Sequence, residues 1–587
     1  MTDLAPPASR LPARTGAQVI CDALVRENIG VVFGIPGGAI MPLYHALWEY
    51  RDRIHHVLCR HEQGAGHAAE GYARARGTVG VCIGTSGPGA TNLVTPIADA
   101  WMDGTPLVAI TGQVSSALLG TDAFQEVDIT GITVPITKHN YLVTRAEDLP
   151  HVLTEAFRIA RSGRPGPVHV DITKDAQLAT CEPDWSGAEH SAHRARRTTP
   201  MPPAIRDAVA LLSHCAKPLI LAGHGVIQAN ACPELRAFAE HTGIPVITTL
   251  HALGAFPLDH PLALGMPGMH GWVHVNRALQ ACDVLLNVGS RFDDRVTGKA
   301  ATFAPNAKII HVDVDAAQIG KVVRADVAIL ADARDALHAL AMETDPIDTR
   351  AWVGSIRDME RQHKPRQAYS RRARSATLMP HDVYDGLNDA FASRSDWRVV
   401  TDVGQHQMWA AQLLEWRRPR THITSGGAGT MGFAVPAALG VALACPDDTV
   451  WVVVGDGGFQ MTNQELATIA QEHVHNVKIA VINNGYLGMV RQWQELFENR
   501  RYSGTPLTGP DFARLGEAYG LRSFTVADAC DVGGAIDAAW RTPGSVLIDF
   551  RVEREANVFP MVPAGKSIGE MLVGPEPARP PLTLIRT

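Results

Sequence analysis

The stretch Thr449-Val450-Trp451-Val452-Val453-Val454-Gly455-Asp456-Gly457 carries the reading of the fold. An unbroken apolar, β-branched run ending in glycine marks a strand buried on both faces, which belongs in a parallel sheet. The Gly-Asp-Gly turn falls at its carboxyl end, where parallel sheets bind ligands. A second run, Val477 to Ile482, ends in Asn483-Asn484, with 25 residues between Gly457 and Asn483. An aspartate and an asparagine at two adjacent strand ends offer hard oxygen ligands. Magnesium takes such ligands together with diphosphate oxygens and water. The glycines let the backbone come close to a phosphate.

Working outward, three blocks separate. Residues 379–563 hold further strands at Trp397 to Thr401 and Ser545 to Phe550. Residues 15–181 hold apolar runs at Val31 to Pro36, Val79 to Gly84, Pro106 to Thr111 and Pro167 to Ile172, with alanine-rich helical stretches between them. Residues 200–343 hold runs at Pro218 to Ala222, Pro245 to Thr249, Val284 to Val288 and Lys308 to Val314, a Rossmann-like pattern. The expected fold class is α/β, with three doubly wound parallel-sheet domains. Polar stretches at 182–199 and 344–374 read as linkers and 574–587 as a surface tail. The basic runs Arg194-Ala195-Arg196-Arg197 and Arg371-Arg372-Ala373-Arg374 fall within the two linkers.

Composition narrows the function classes. The 587 residues carry a formal net charge of −7, too mild for nucleic acid or an anionic membrane as partner. No run of about 18 apolar residues suggests a membrane span. Residues 1–14 lack the apolar core of a secretory signal. The nine cysteines are scattered, with no CxxC pair, which fits reduced thiols in the cytoplasm.

A further motif is Arg60-His61-Glu62-Gln63, after the short apolar strand His56 to Cys59 and before an alanine-rich helix. Together with Gly455-Asp456-Gly457 and Asn483-Asn484, it resembles the cofactor motifs of thiamine-diphosphate enzymes. Over residues 15 to 574 the chain resembles the catalytic subunits of acetolactate synthases. The likeness is carried by Phe33-Gly34-Ile35-Pro36-Gly37-Gly38, Gly84-Thr85-Ser86-Gly87-Pro88-Gly89, Gly120-Thr121-Asp122-Ala123-Phe124-Gln125-Glu126, Arg291-Phe292-Asp293-Asp294-Arg295, Val403-Gly404-Gln405-His406-Gln407-Met408-Trp409 and Gly488-Met489-Val490-Arg491-Gln492-Trp493.

The resemblance implies decarboxylation of pyruvate on thiamine diphosphate and transfer of the two-carbon unit to pyruvate or 2-ketobutyrate, as in branched-chain amino acid biosynthesis. It implies that Asp456, Asn484 and the carbonyl of Tyr486 hold Mg2+, and that Gly457 lies against the diphosphate. Glu62 would contact the aminopyrimidine ring, Met431 would wedge beneath the cofactor, and Gln405 and His406 would lie by the diphosphate. The Gly38 backbone and Gln125 side chain would stabilise the developing oxyanion. Trp493 would shape the acceptor pocket, while Phe124, Lys174, Met489, Val490 and Arg295 would line the access channel. Arg164, His270, Gly271, Arg291, Asp313 and Asp332 would contact a non-redox FAD in the central domain. The central domain, residues 200–343, has no G-x-G-x-x-G fingerprint; Gly223-His224-Gly225 is a weak hint of a phosphate turn. A homodimer or homotetramer and a small regulatory subunit are the implied partners. Glyoxylate carboligase and pyruvate oxidase are the neighbouring readings: the first carries an apolar residue where this chain has Glu62, and the second lacks the Arg-Gln-Trp segment. Ala428 stands where leucine is usual, Thr173 and Ser115 where proline is.

Overall fold

The computed structural model describes residues 13–186, 199–363 and 377–574. β1 (Arg14–Thr15) opens the first unit. Six parallel strands follow: β2 (Val31–Gly34), β3 (His55–Leu58), β4 (Gly80–Gly84), β5 (Leu107–Gln113), β6 (His139–Val143) and β7 (Pro167–Thr173). β8 (Thr180–Cys181) returns antiparallel to β1. The second sheet comprises β9 (Pro218–Ala222), β10 (Val246–Thr248), β11 (Ala263–Gly265), β12 (Val284–Val288), β13 (Lys308–Asp313) and β14 (Val327–Leu330). The third comprises β15 (Trp397–Thr401), β16 (His422–Thr424), β17 (Thr449–Gly455), β18 (Val477–Asn483), β19 (Arg522–Val526) and β20 (Val546–Arg551). Helices connect the strands. β5 and β7 are buried along their full length, as continuous apolar runs between helical layers must be.

The strand orders place the sites. The first sheet runs β3-β2-β4-β5-β7-β6 and the third β16-β15-β17-β18-β20-β19, one order used twice. The second runs β11-β10-β9-β12-β13-β14, the order of dinucleotide-binding sheets. Each order reverses inside the sheet, between β2 and β4, β9 and β12, or β15 and β17; the first and third sheets also turn back at one edge, β7-β6 and β20-β19. Strands on either side of the internal reversal send their loops apart and leave a crevice.

The first and third units pack through helices Glu62–Arg76 and Ala434–Ala444. A Cβ at Gly440 would fall 1.8 Å from the Ala68 carbonyl oxygen, and one at Gly71 would fall 2.1 Å from that of Ala437. Backbone meets backbone here because both helices present glycine and alanine.

Two expectations change. The stretch 344–374 is not all linker: Arg350–Gln362 is a helix, with Trp352 and Ile356 buried and Trp352 Nε1 donating to the Pro218 carbonyl at 3.0 Å. Trp352, Val353, Ile356 and Met359 fall at the i, i+1, i+4, i+7 spacing of one helix face, a stripe masked by the charged residues around it. Glu62 does not precede its helix but begins it. The two basic runs and the end of the tail lie outside the described residues. All nine cysteines are free. Burial pushes eight of these thiols up, and only Cys530 is exposed.

Gly440→Val is expected to cost about 1–3 kcal/mol or more through overpacking, read as a fall in Tm by differential scanning calorimetry. A second expectation concerns pH. Burial pushes Asp171 on β7 up to about 6, against hydrogen bonds from Thr111 Oγ1 (2.6 Å) and Gln113 Nε2 (3.0 Å). An unfolded aspartate titrates near ~3.9, so the folded chain retains a proton that the unfolded one releases. The stability this proton supplies is complete below ~4 and is lost as pH rises through about 6. Asp171→Asn should therefore flatten the change in Tm between pH ~4 and ~7; an unchanged slope would refute this assignment.

Candidate active site and nucleotide cleft

At the crevice between β15 and β17, three strand ends converge. β15 leads through Asp402-Val403-Gly404 into helix Gln405–Leu413, β17 into helix Asp456–Thr462, and β18 through Asn484 towards helix Gly488–Phe497. The pocket between them is lined by Gln405, His406, Met431, Asp456, Gly457, Asn484, Tyr486, Met489 and Val490, among others. Asp456 is 3% exposed, and burial pushes its carboxyl up to about 7 even though backbone N–H groups at 456, 457 and 485 favour its charge. Asn484 Oδ1 accepts from the Tyr486 N–H at 3.1 Å, and its Nδ2 donates to Gln405 Oε1 at 3.2 Å. The amide oxygen is thereby turned into the pocket's donor set with Asp456. The other asparagine is engaged elsewhere: Asn483 Nδ2 donates to Asp549 Oδ1 at 2.9 Å.

Buried groups without protein partners mark this pocket as built for a guest. His406 Nε2 is buried with no hydrogen-bond partner, and burial pulls the imidazole down to about 3, so it is neutral. A Cβ at Gly455 would sit 2.9 Å from the His406 ring, and one at Gly457 2.7 Å from Leu487 Cδ2 and 3.4 Å from Met431 Cε. Only glycines leave these approaches open. Oxygen donors, an open backbone turn and a neutral imidazole suit a magnesium–diphosphate group.

At the crevice between β2 and β4, the loop 85–92 gathers Gly38, Glu62 and Gln125. A Cβ at Gly37 would fall 2.4 Å from Thr85 Cβ, one at Gly87 2.9 Å from the Gln125 carbonyl oxygen, and one at Gly89 3.3 Å from Glu62 Oε1. Asn92 Nδ2 donates to Glu62 Oε2 at 2.8 Å. Glu62 is 8% exposed and occupies the first helical position, where the helix dipole favours a carboxylate. A Cβ at Gly38 would meet nothing within 4 Å. Gln125 holds a left-handed φ of 61°, a conformation costly for a non-glycine residue. Glu126 secures it by accepting from the N–H groups of Gly120, Thr121 and Ala123. Phe124 beside it is 87% exposed. Lys174 starts the helix after β7. Neither Glu62, Gly38 nor Gln125 lines the Asp456 pocket.

Helix Gly488–Phe497 carries Met489 into the pocket, leaves Val490 half exposed, and sets Trp493 edge-on to Phe497 at 5.6 Å. Its hold on the fold comes from two residues given no role from sequence. Buried Arg491 donates to the Ala556 carbonyl and Asn557 Oδ1, and Gln492 to the Val558 carbonyl. The only sequence signal was their presence within the Arg-Gln-Trp segment. Glu465 was also missed; it is fully buried and accepts from the backbone N–H of Arg60 (3.0 Å) and His61 (3.1 Å).

The third crevice, between β9 and β12, is a cleft of about 220 Å³. Arg164, Arg291, Asp313 and Asp332 all line it, joined by His224, Gly225 and Gly289. Burial pushes Asp313 up to about 6. A Cβ at Gly223 would fall 2.2 Å from the Gly289 carbonyl oxygen, so the two strand-end turns touch through backbone. Arginines for phosphates, carboxylates for sugar hydroxyls and a close glycine turn suit a dinucleotide. His270 and Gly271 lie outside the cleft. His270 is buried against Pro560, its Nδ1 3.1 Å from that carbonyl, and a Cβ at Gly271 would fall 2.4 Å from the Pro267 carbonyl carbon. Arg295 is exposed, beside Asp294.

Comparison with known proteins gives one consistent result. Residues 14–132 match the N-terminal TPP binding domain of thiamine pyrophosphate enzymes, residues 205–340 the central domain, and residues 402–550 the C-terminal TPP binding domain. The chain is 52% identical to the acetolactate synthase large subunit of Corynebacterium glutamicum, over 95% of this chain and 90% of that one. It is 47% identical to the isozyme 2 large subunit of Escherichia coli, over 95% and 99%. To a probable acetolactate synthase large subunit of Methanocaldococcus jannaschii it is 43% identical, over 94% of each.

The two asparagines separate by experiment. Asn484→Ala is expected to weaken binding of thiamine diphosphate with Mg2+ by about tenfold or more, one such factor being ~1.4 kcal/mol. Asn483→Ala should leave that affinity unchanged and lower Tm instead. Thermal-shift titration reads both.

Proposed function

This chain belongs to the acetolactate synthase large-subunit family of thiamine-diphosphate enzymes, and we propose that it joins a two-carbon unit from pyruvate to pyruvate or 2-ketobutyrate using bound Mg2+ and FAD. The products are 2-acetolactate and 2-aceto-2-hydroxybutyrate, on the route to branched-chain amino acids. One observation carries the reading in the geometry: Asp456, Asn484 and His406, whose buried Nε2 has no hydrogen-bond partner, line one pocket at parallel strand ends.

Bound thiamine diphosphate supplies the nucleophilic carbon and the electron sink for decarboxylation. The chain's residues do the rest. Asp456, the Asn484 amide oxygen and the Tyr486 carbonyl would hold Mg2+, and Gly457 and Gln405 would border the diphosphate. Asn92 occupies Glu62 Oε2, so Oε1 is the oxygen that would serve the aminopyrimidine ring. The Gly38 N–H and the Gln125 amide would donate to oxygen as it gains charge. Met431 would support the cofactor. Trp493 gives an acceptor's extra methylene an apolar wall, worth about 1–3 kcal/mol. FAD in the cleft of Arg164, Arg291, Asp313 and Asp332 serves structure, since the reaction has no net redox change.

The Glu62 cluster and the Asp456 pocket do not share a cavity within one chain, which supports a dimer or larger assembly in which two copies complete each site. Relatives named large subunits support a small regulatory partner for this one. No helix among the described residues is long and apolar enough to cross a membrane. Nine unpaired thiols favour the cytoplasm as its compartment.

The test is product analysis with pyruvate, thiamine diphosphate and Mg2+, with and without FAD. The expected outcome is acetolactate that requires FAD and falls by about 10²–10⁴-fold in Glu62→Gln. Condensation of glyoxylate, or formation of peroxide and acetyl phosphate, would reassign the chain within the family.

A further inference from the structure

The loop 425–434, which delivers Met431, is held by two aspartates of the first unit. Both lie on helix Val94–Asp103, one turn apart. Asp99 Oδ1 accepts from Ser425 Oγ at 2.5 Å and Thr430 Oγ1 at 3.2 Å. Asp103 accepts from the backbone N–H of Gly426 (Oδ2, 3.1 Å) and Gly427 (Oδ1, 2.7 Å).

Asp103 also faces the central unit. Arg74 Nη1 donates to its Oδ2 at 3.2 Å, and Arg74 Nη2 donates to His251 Nδ1 at 2.7 Å. With Nδ1 accepting, His251 carries its hydrogen on Nε2, which lies 3.0 Å from Asp103 Oδ1. Burial works against charge here, yet His251 and Arg74 hold the Asp103 carboxyl well below the ordinary carboxylate range, so it can accept from every side. His251 stacks on His224 with ring centres 5.2 Å apart, and Met102, Asp103, His224 and His251 all line the nucleotide cleft. Arg164, which also lines the cleft, donates to the carbonyls of Trp101 and Met102, at the end of the same helix.

One buried carboxylate thus touches the floor of the nucleotide cleft and the loop that enters the thiamine pocket. We infer that Asp103 is a positioning residue that couples occupancy of the flavin cleft to the set of the Met431 loop. A flavin pressing on His224 and Arg164 fixes His251 and the end of the helix. Those fix the carboxylate, and the carboxylate fixes Gly426 and Gly427. Gly426 has little freedom to absorb a shift, since a Cβ there would already lie 2.2 Å from His251 Nε2. The inference rests on the flavin and thiamine readings above, and it gives the flavin a defined role, that of ordering the second cofactor's site from a distance.

Coupling between two ligands is reciprocal, so binding alone measures it. FAD is titrated by quenching of its fluorescence into cofactor-stripped protein, with and without saturating thiamine diphosphate and Mg2+. The unmodified chain should bind FAD about fivefold or more tightly when the second cofactor is present. It should bind thiamine diphosphate more tightly by the same factor when FAD is present. Asp103→Asn, which cannot accept on both sides, should still bind each cofactor but bring the factor close to one. Gly426→Ala, which drives a methyl group into His251 and leaves Asp103 in place, should reduce it as well. A factor of one in the unmodified chain overturns the inference whether or not any variant folds, and so does a factor unchanged in Asp103→Asn. Failure of the unmodified chain to bind FAD at all overturns the flavin reading along with it.

Discussion

The contact on which the rest depends is the one where two helix backbones touch with no side chain between them. Helix Glu62–Arg76 and helix Ala434–Ala444 meet through Gly71 against Ala437 and Gly440 against Ala68. Side-chain interfaces tolerate small slips by changing rotamers; a backbone contact does not. The first helix begins with Glu62, and the second begins three residues after Met431. A Glu–Met spatial relation is therefore fixed by glycine and alanine, residues with no chemistry of their own. Phe433 reinforces it by packing edge-on against His67, ring centres 5.3 Å apart.

Sheet topology accounts for where the clefts lie. All three sheets have one internal reversal of strand order, and all three gather their candidate site residues there. Asp456 and His406 flank the β15–β17 point, Gly38 and the loop 85–92 flank the β2–β4 point, and His224 and Arg291 flank the β9–β12 point. The first and third sheets use one order for complementary roles. The former presents a carboxyl and backbone donors; the latter presents oxygen ligands and a diphosphate cradle.

Much of this was legible in sequence for a simple reason. Strands buried on both faces are unbroken apolar runs, so Pro218–Ala222, Val284–Val288 and Trp397–Thr401 were delimited residue for residue. Asp456 and Asn484 stood out because both fall at strand ends, and the structure sets them in one pocket. What escaped was whatever depends on distant chain meeting. Helix Arg350–Gln362 has two apolar anchors among charges, and its reason for folding lies in the core it covers. Arg491, Glu465 and Asp103 act through partners tens to hundreds of residues away, and no local spacing reveals them. The cleft between β9 and β12 lacks a glycine fingerprint because its close approach is shared between two turns, Gly223 and Gly289, that are 66 residues apart. His270 illustrates the converse: a residue singled out by resemblance alone, whose ring nitrogen is engaged with the Pro560 carbonyl.

The thiol inventory has a practical side. Eight sulfurs are kept protonated by their apolar surroundings, so at neutral pH they offer little thiolate to an electrophile. Cys530, in the turn after β19, is exposed and lines neither the thiamine pocket nor the nucleotide cleft. Nature has left the chain with a single convenient handle, through which a maleimide dye can be attached to the native protein without mutagenesis.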